Sequence, residues 1–279
     1  MSESQTPYLM ENLEEVLRLE LKTAPEEVRE QALWCGVKPG FSVLDAGCGP
    51  GKVTSILHGM IQPGGHILGV DYSEARIEHA RNVHGPQSGM EFMLHDLTKP
   101  IKDVGPFDLV WVRFLLEYYQ KESIQIVKNL DSLLKPGGTL CLLDLDYNCL
   151  THYELPECME ETMIHLMKRL QEEFNFDPYA GRKLYAYLYD LRYENIQVRL
   201  VPHHLIYGDS KDRDMFNWVK KVEVVSKKAG ELFKKYPGGG DVFFADFRKF
   251  FSNPRRFTYT PLIICRGIKP TLAPSRPQG

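Results

Sequence analysis

The sequence has 279 residues, of which 43% are hydrophobic and 25% charged, a composition typical of a globular protein and not of a disordered or fibrous one. Its 34 lysines and arginines against 37 aspartates and glutamates give a net charge of −3, so it lacks the basic character that nucleic-acid binding usually requires. No apolar run approaches the roughly 18 residues needed to cross a bilayer. The first 20 residues carry five glutamates and no secretion-signal pattern, so we expect a cytoplasmic protein.

Two helices are predicted at the start of the chain, over Met10–Leu21 and Pro25–Cys35. Strand-like and helix-like segments then alternate between residues 41 and 208, which predicts a parallel sheet with crossover helices. Apolar residues at helical spacing mark two of the connecting helices, Lys52–Met60 and Ser123–Leu134. The first five predicted strands are Ser42–Ala46, His66–Asp71, Met90–His95, Phe107–Val112 and Gly138–Leu145.

The second half of the chain is predicted to be mainly helical, with two more strands. Residues 270–279 include three prolines and have no apolar periodicity, so a disordered tail is expected there. The predicted helices are Met159–Phe174, Gly181–Tyr193, Asp212–Tyr236 and Val242–Phe251, and the predicted strands are Ile196–Tyr207 and Phe257–Gly267.

Three glycines at alternate positions, Gly47, Gly49 and Gly51, follow the first predicted strand. A turn without side chains lets a ligand touch the backbone beside a helix N-terminus, at the edge where open α/β sheets bind ligands. The phosphate loop of nucleotide hydrolases does not fit, because Val53 stands where Ser or Thr is needed. The dinucleotide fingerprint fails because Lys52 replaces its last glycine, which disfavours a nicotinamide oxidoreductase.

Two acidic residues accompany the glycine turn. Asp45 precedes it, and Asp71 ends the second predicted strand, 20 residues beyond Gly51. Asp71 is therefore placed to accept both hydroxyls of a ribose, as the acidic residue of nucleotide-binding α/β folds does.

The segments VLDAGCGPG, GVDYS, HDL, FDLVWVRFLLEYY and LLKPGGTLCLLD follow one another between residues 43 and 146. In this order they resemble the class I S-adenosylmethionine-dependent methyltransferases, and the chain is similar to the ubiquinone and menaquinone biosynthesis branch of small-molecule enzymes. The resemblance implies a Rossmann-like, doubly wound α/β fold. Its sheet would be mainly parallel and seven-stranded, with an antiparallel last strand. S-adenosylmethionine would be the cofactor and S-adenosylhomocysteine the product.

The same resemblance implies one domain over residues 1–268. The core would comprise residues 41–146, 181–208 and 257–268. A helical cap over residues 1–36 and lid insertions over residues 147–180 and 209–256 would surround it.

The resemblance places the methionine portion of the cofactor over the three glycines, with Asp45 reaching its amino group directly or through water. It implies that Asp71 binds the ribose hydroxyls and that Tyr72 lies against the adenine ring, since an aromatic face stacks on a flat base. An alternative for Asp71 is a cap on the helix that begins near Ser73.

Four further cofactor-binding positions are implied. Asp96, after the third strand, would meet the adenine amino group, with Leu97 offering its backbone; a turn closed by Asp96 with Thr98 is the alternative. The backbone carbonyl of Arg113 would accept a hydrogen bond from the methionine ammonium, and Phe114 or its neighbour would form a wall of the pocket. A contact between the Arg113 side chain and the substrate stays open.

Candidate catalytic residues lie beyond the fifth strand. Asp144 and Asp146 are two apart near its carboxyl end, so either is a candidate base for a hydroxyl or amine acceptor. Each is equally well explained as a carboxylate that orders a loop. His152 is a candidate base or acceptor-pocket residue. Positioning alone can also suffice for methyl transfer, without a base. No metal site is indicated, because no set of His, Cys and acidic residues has ligand spacing.

The predicted lid is rich in methionine and aromatic residues, such as Met163, Trp218 and Phe247. These side chains either line a cavity for a hydrophobic or aromatic small-molecule acceptor or simply pack the lid onto the sheet. The alternatives are a protein or RNA methyltransferase of the same fold, and a non-catalytic module that binds S-adenosylmethionine. The acceptor, the methylated atom and the oligomeric state are not indicated by the sequence.

Overall fold

The computed structural model describes residues 23–85, 87–209, 211–228 and 233–271. The predicted helix Met10–Leu21 and almost all of the predicted tail lie outside these ranges. Among the described residues the chain forms eight strands and eight α-helices. The strands are β1 Ser42–Ala46, β2 His66–Asp71, β3 Met90–Leu94, β4 Phe107–Arg113, β5 Leu134–Leu145, β6 His152–Tyr153, β7 Glu194–Tyr207 and β8 Phe257–Ile268. The helices are α1 Pro25–Cys35, α2 Lys52–Ile61, α3 Glu74–His84, α4 Ser123–Asp131, α5 Glu157–Phe174, α6 Leu184–Asp190, α7 Asp212–Lys228 and α8 Gly239–Phe251.

The strands form one sheet in the order β3-β2-β1-β4-β5-β8-β6, with β7 paired to β8. β1 to β5 are mutually parallel and β8 runs antiparallel to β5 and to β7. This confirms the predicted doubly wound sheet with an antiparallel last strand, to which the structure adds the two-residue β6. The chain winds in opposite directions from β1 and β4, so the carboxyl ends of these two strands form the switch point where such sheets bind ligands.

Helices cover both faces of the sheet, which explains why its central strands read as continuous apolar runs. One core cluster joins α1, α2 and α3 to the sheet, and a second joins α4 and α6 to its other face. Trp111, on β4, is completely buried between these layers. A third cluster joins α5, α7 and α8 to one another and to Ile206 near the end of β7, through side chains such as Met159 and Phe247. We call this group of three helices, with β6, the lid.

Two predicted helices differ from the structure. The prediction of one helix over Gly181–Tyr193 is wrong, since residues Gly181–Lys183 form a 3-10 turn and α6 extends only over Leu184–Asp190. The predicted helix Asp212–Tyr236 also runs too far, because the residues from Phe233 to Tyr236 lie outside any α-helix and Phe233 packs into the lid core.

Candidate functional site

The glycine turn lies between β1 and α2 at the switch point. Gly47, Gly49 and Gly51 all adopt positive φ angles of 78°, 55° and 93°, which side chains other than glycine strongly disfavour. A Cβ on Gly47 would stand 2.9 Å from the side chain of Leu115, which follows β4. A Cβ on Gly51 would stand 2.9 Å from that of Ala80 on α3. The backbone path therefore favours glycine at all three positions, and close packing adds to this requirement at Gly47 and Gly51.

Asp71 ties the end of β2 to the glycine turn. Its side chain is buried, its Oδ2 accepts the backbone N–H of Gly49 at 2.9 Å, and its Oδ1 accepts that of Ser73 at 3.0 Å. Arg76 lies 3.8 Å from Oδ1. One carboxylate thus bonds to the backbone on both sides of the cofactor-facing edge, at the glycine turn and at Ser73. The bond to Ser73 fixes the residue just before α3 and is not a cap on a helical N–H group.

Asp45 is buried beneath the turn. The hydroxyl of Thr54 on α2 donates to its Oδ2 at 2.6 Å. Burial raises the pKa of Asp45 to about 7, while the Thr54 hydrogen bond and the Arg113 charge oppose this rise. The carboxyl group therefore changes its charge near neutral pH, and a cation placed beside it favours the ionised form.

Arg113 ends β4 beside this carboxyl group. Its Nε donates to Oε1 of Gln31, a buried residue of α1, at 3.1 Å. Its guanidinium carbon lies 4.1 Å from the ring centroid of Phe114. Phe114 has a φ of 56° and its ring centroid lies 4.7 Å from that of His203 on β7. Sequence reasoning did not find Gln31, because its partner is 82 positions away.

The adenine side of the predicted site is formed by the segments after β2 and β3. Asp96 accepts hydrogen bonds from the backbone N–H and the hydroxyl of Thr98, at 3.0 and 2.7 Å. Partial burial raises the pKa of Asp96, but these hydrogen bonds and Lys99 outweigh it and lower the pKa overall. Leu97 is buried, and Arg76 lies 6.0 Å from the ring centroid of Tyr72. The predicted turn alternative for Asp96 is therefore present in the structure.

Asp144 is almost completely buried and orders the chain after β4. Its Oδ2 accepts the backbone N–H of Glu117 at 3.1 Å and its Oδ1 accepts that of Leu145 at 2.9 Å. Burial, and next the Glu117 carboxylate, raise the pKa of Asp144 well above its ordinary value. Asn148 donates to Oε2 of Glu117 at 2.7 Å. Glu117 was not identified as a site residue from the sequence. The available signal was that Glu117 is the one charged residue in the apolar run from Phe114 to Tyr119.

Asp146 lies just beyond β5 and forms a two-point ion pair with Arg182. The Nε and Nη2 atoms of Arg182 lie 2.9 and 3.0 Å from the two carboxylate oxygens. The same guanidinium lies 4.6 Å from the ring centroids of both Tyr147 and Tyr179. The Arg182 side chain is 45% exposed and that of Asp146 only 11%, so the ion pair joins a nearly buried carboxylate to a partly exposed guanidinium.

His152, on β6, packs in the lid. Its Nδ1 lies 2.8 Å from Oγ1 of Thr258, and its ring makes edge contacts with Trp218, Phe247 and Phe250 at centroid distances of 5.1, 6.1 and 5.8 Å. Burial lowers its pKa to about 4, so the imidazole is neutral at pH 7. Most lid aromatics and methionines likewise pack against one another. This favours the interpretation that these side chains pack the lid over the one that they line an acceptor cavity.

Comparison with known proteins identifies the family. A family model described as a methyltransferase domain matches residues 37–200. The chain belongs to this family. The match spans the glycine turn and the strands that carry the site, which confirms the class of protein expected from the motifs.

Individual relatives are distant. The chain is 34% identical over 112 residues to a ubiquinone biosynthesis O-methyltransferase of Coxiella burnetii, covering 39% of this chain and 45% of that one. It is 29% identical over 150 residues to an uncharacterised 37.1 kDa protein in a Streptomyces fradiae transposon, covering 53% and 42%. The chain thus spans less than half the length of these relatives.

A solved structure shows the same fold. The phosphoethanolamine N-methyltransferase 2 of Haemonchus contortus superposes with a TM-score of 0.58 at 15% identity, covering 91% of this chain and 57% of that one.

None of the helices in the described part of the chain combines the length and the apolar character that a membrane span requires.

Proposed function

We propose that this protein is an S-adenosylmethionine-dependent methyltransferase that acts on a small-molecule acceptor. The observation that carries the proposal is the buried Asp71 carboxylate hydrogen-bonded to the positive-φ glycine turn, in a chain that belongs to the methyltransferase-domain family. A backbone surface without side chains next to an acidic residue suits a nucleoside with an attached polar tail.

The residues present fit this cofactor. The glycine turn would lie under the amino-acid portion, where Asp45 favours the ammonium group because a neighbouring cation stabilises its ionised form. Asp71 would bind the ribose hydroxyls and Tyr72 would lie against the adenine ring. Asp96 and Leu97 would complete the adenine side.

S-adenosylmethionine, when bound, supplies a methyl group that is already activated on a sulfonium. The chain's own task is then to hold an acceptor atom in line with that group and to keep water away. We assign this task to the carboxyl edge of β4 and β5 and to the lid. Asp146, with its Arg182 partner near Tyr147 and Tyr179, is the better candidate base, since Asp144 is almost completely buried and is engaged by the backbone N–H groups of Glu117 and Leu145.

A small-molecule acceptor is supported by the relative named as a ubiquinone biosynthesis O-methyltransferase. The net charge of −3 also disfavours RNA. On this proposal a hydrophobic or aromatic acceptor reaches the cofactor between the lid and the end of β5, beside the two tyrosines.

Isothermal titration calorimetry with S-adenosylmethionine and S-adenosylhomocysteine tests the cofactor. We expect saturable binding of both in about the micromolar range. Binding of NAD without binding of either compound would overturn the proposal in favour of an oxidoreductase.

A screen of phenols, quinols and amines that follows S-adenosylhomocysteine formation tests turnover. We expect at least one small acceptor to be methylated. Methylation only of proteins or RNA would contradict the acceptor class, and cofactor binding without any product would identify a non-catalytic binding module.

A further inference from the structure

The guanidinium of Arg113 is only partly engaged by the protein. Its Nε donates to Gln31 and its face packs over Phe114. Its two terminal nitrogens have neither a hydrogen-bond nor an ion-pair partner among residues 23–85, 87–209, 211–228 and 233–271. A guanidinium has five N–H donors, so most of its capacity is left for another group.

The charges around Arg113 do not form a fixed ion pair with it. The carboxyl groups that face it belong to Glu27, Asp45 and Asp144. Burial lowers the pKa of Arg113 to about 10 and these carboxyls oppose that shift, so the side chain is positive at pH 7. Burial raises the pKa of both Asp45 and Asp144, because it disfavours the charged form of each carboxyl group. Arg113 is half-buried, and a cation withdrawn from water without a close ion-pair partner favours an anionic ligand.

Arg113 lies at the carboxyl ends of β1 and β4, where the amino-acid portion of the cofactor is proposed to bind. Ala46 pairs with Val112 in the β1–β4 register, so Arg113 is level with Gly47. The side chain of Leu115 packs against Gly47, since it lies 2.9 Å from the position that a Cβ on Gly47 would occupy. The Phe114 ring and the Gln31 amide hold the guanidinium from two sides, which limits its freedom before a ligand arrives.

We propose that the two terminal nitrogens of Arg113 bind the carboxylate of the amino-acid portion of S-adenosylmethionine. This inference rests on the proposed function and adds a residue that determines specificity for the intact amino-acid tail. The planar guanidinium matches a carboxylate in a two-point, charge-assisted arrangement. Asp45 then meets the ammonium group and Arg113 the carboxylate, so the two ends of the zwitterion contact opposite charges.

The test compares two ligands on one variant. S-adenosylhomocysteine carries the carboxylate, and its decarboxylated analogue keeps the adenosine, the sulfur and the ammonium group. In Arg113→Met we expect calorimetry to show at least a roughly tenfold loss of affinity for S-adenosylhomocysteine and about unchanged affinity for the analogue. Arg113→Lys should recover part of the loss, because it restores the charge without the two-point geometry. The ratio of the two affinities within each variant is independent of any change in its stability.

The matched control is Arg199→Met. Arg199 also holds α1, through an ion pair with Glu30 at 2.6 Å, but it lies on β7 away from the glycine turn. We expect its affinity ratio to equal that of the wild type. If Arg113→Met lost affinity equally for both ligands, or for neither, the carboxylate assignment would be overturned. Binding of S-adenosylhomocysteine by the wild type would still support the proposed function. Failure of the wild type to bind S-adenosylhomocysteine would refute the proposed function itself and the assignment with it.

Discussion

The carboxylate of Asp71 accepts the backbone N–H of Gly49 at 2.9 Å, across 22 positions of the chain. One side chain therefore fixes the middle of the glycine turn to the end of β2. The same carboxylate orders the backbone at Ser73. A change at Asp71 is thus expected to affect the shape of the turn as well as any direct contact with a ribose.

Asp71→Ala should weaken binding of S-adenosylhomocysteine by at least about tenfold, or about 1.4 kcal/mol, since it removes the ribose acceptor and the bond to Gly49. Calorimetry measures the change. The control is Asp108→Ala, because Asp108 also accepts a backbone N–H, from Ser42 at 2.8 Å, and pairs with Lys135, but at the opposite edge of the sheet. Equal affinity in Asp71→Ala and the wild type would show that the cofactor site is misplaced.

Binding of S-adenosylhomocysteine should strengthen as the pH rises from 6 to 8. The pKa of Asp45 is raised by burial to about 7, so at pH 6 the carboxyl is mostly protonated and must lose its proton before it can pair with an ammonium group. Each pH unit below the pKa should lower the affinity by up to about tenfold. Calorimetry at several pH values measures this slope.

Asp45→Asn supplies the control for this pH dependence. The variant should bind more weakly at pH 8 and should show little further change between pH 6 and pH 7. Methylthioadenosine, which lacks the ammonium group, should bind the wild type with little pH dependence. A slope that persists in Asp45→Asn would assign the titration to another group.

Gly51→Ala should lower the free energy of unfolding by more than Gly40→Ala does. Both glycines have strongly positive φ, 93° and 82°, so each substitution costs about 1 to 2 kcal/mol in the backbone. The new Cβ at position 40 meets nothing within 4 Å, whereas at position 51 it meets Ala80 at 2.9 Å and Phe92 at 3.0 Å. Overpacking adds about 1 to 3 kcal/mol at position 51 only. Urea denaturation measures both, and equal losses would refute the packing contribution.

Phe247→Ala should destabilise the lid by about 3 to 5 kcal/mol, because the side chain is completely buried among aromatic rings. Phe216→Ala is the matched control, since Phe216 belongs to the same lid but is 50% exposed; its effect should stay within about 0.5 kcal/mol. Circular dichroism during denaturation compares them. If the two variants had equal stability, the lid core would not be packed as described.

The centre of the sheet was predictable because strands such as β1 and β4 are buried on both faces. β1 and β2 begin and end where their apolar runs do, at Ser42–Ala46 and His66–Asp71, and no other period competes there. The non-helical backbone from Phe233 to Tyr236 was not predictable, since the amphipathic spacing of the sequence continues through these residues. Hydrophobic periodicity indicates which residues form an apolar face, but it does not show where the backbone leaves the helical conformation.

The site was predictable only where short motifs carry it. The glycine turn and Asp71 stand at fixed offsets from β1 and β2, and the structure brings them together as expected. The partners of Asp144 and Arg113 were not predictable, because Glu117 and Gln31 lie 27 and 82 positions away and reach them only through the packing of the layers. Buried polar contacts of this kind depend on tertiary structure and leave no local pattern.

β8 pairs with strands of both the core and the lid. Its residues from Leu262 to Ile268 pair with β5 of the core, whereas Phe257 and Thr258 pair with β6 of the lid. The offset between the two parts is therefore set by one continuous backbone, and we expect the predicted insertions over residues 147–180 and 209–256 to diverge more freely. Among homologues, we expect acceptor preference to drift through these insertions as the β8 pairings and the nucleoside-binding edge stay constant.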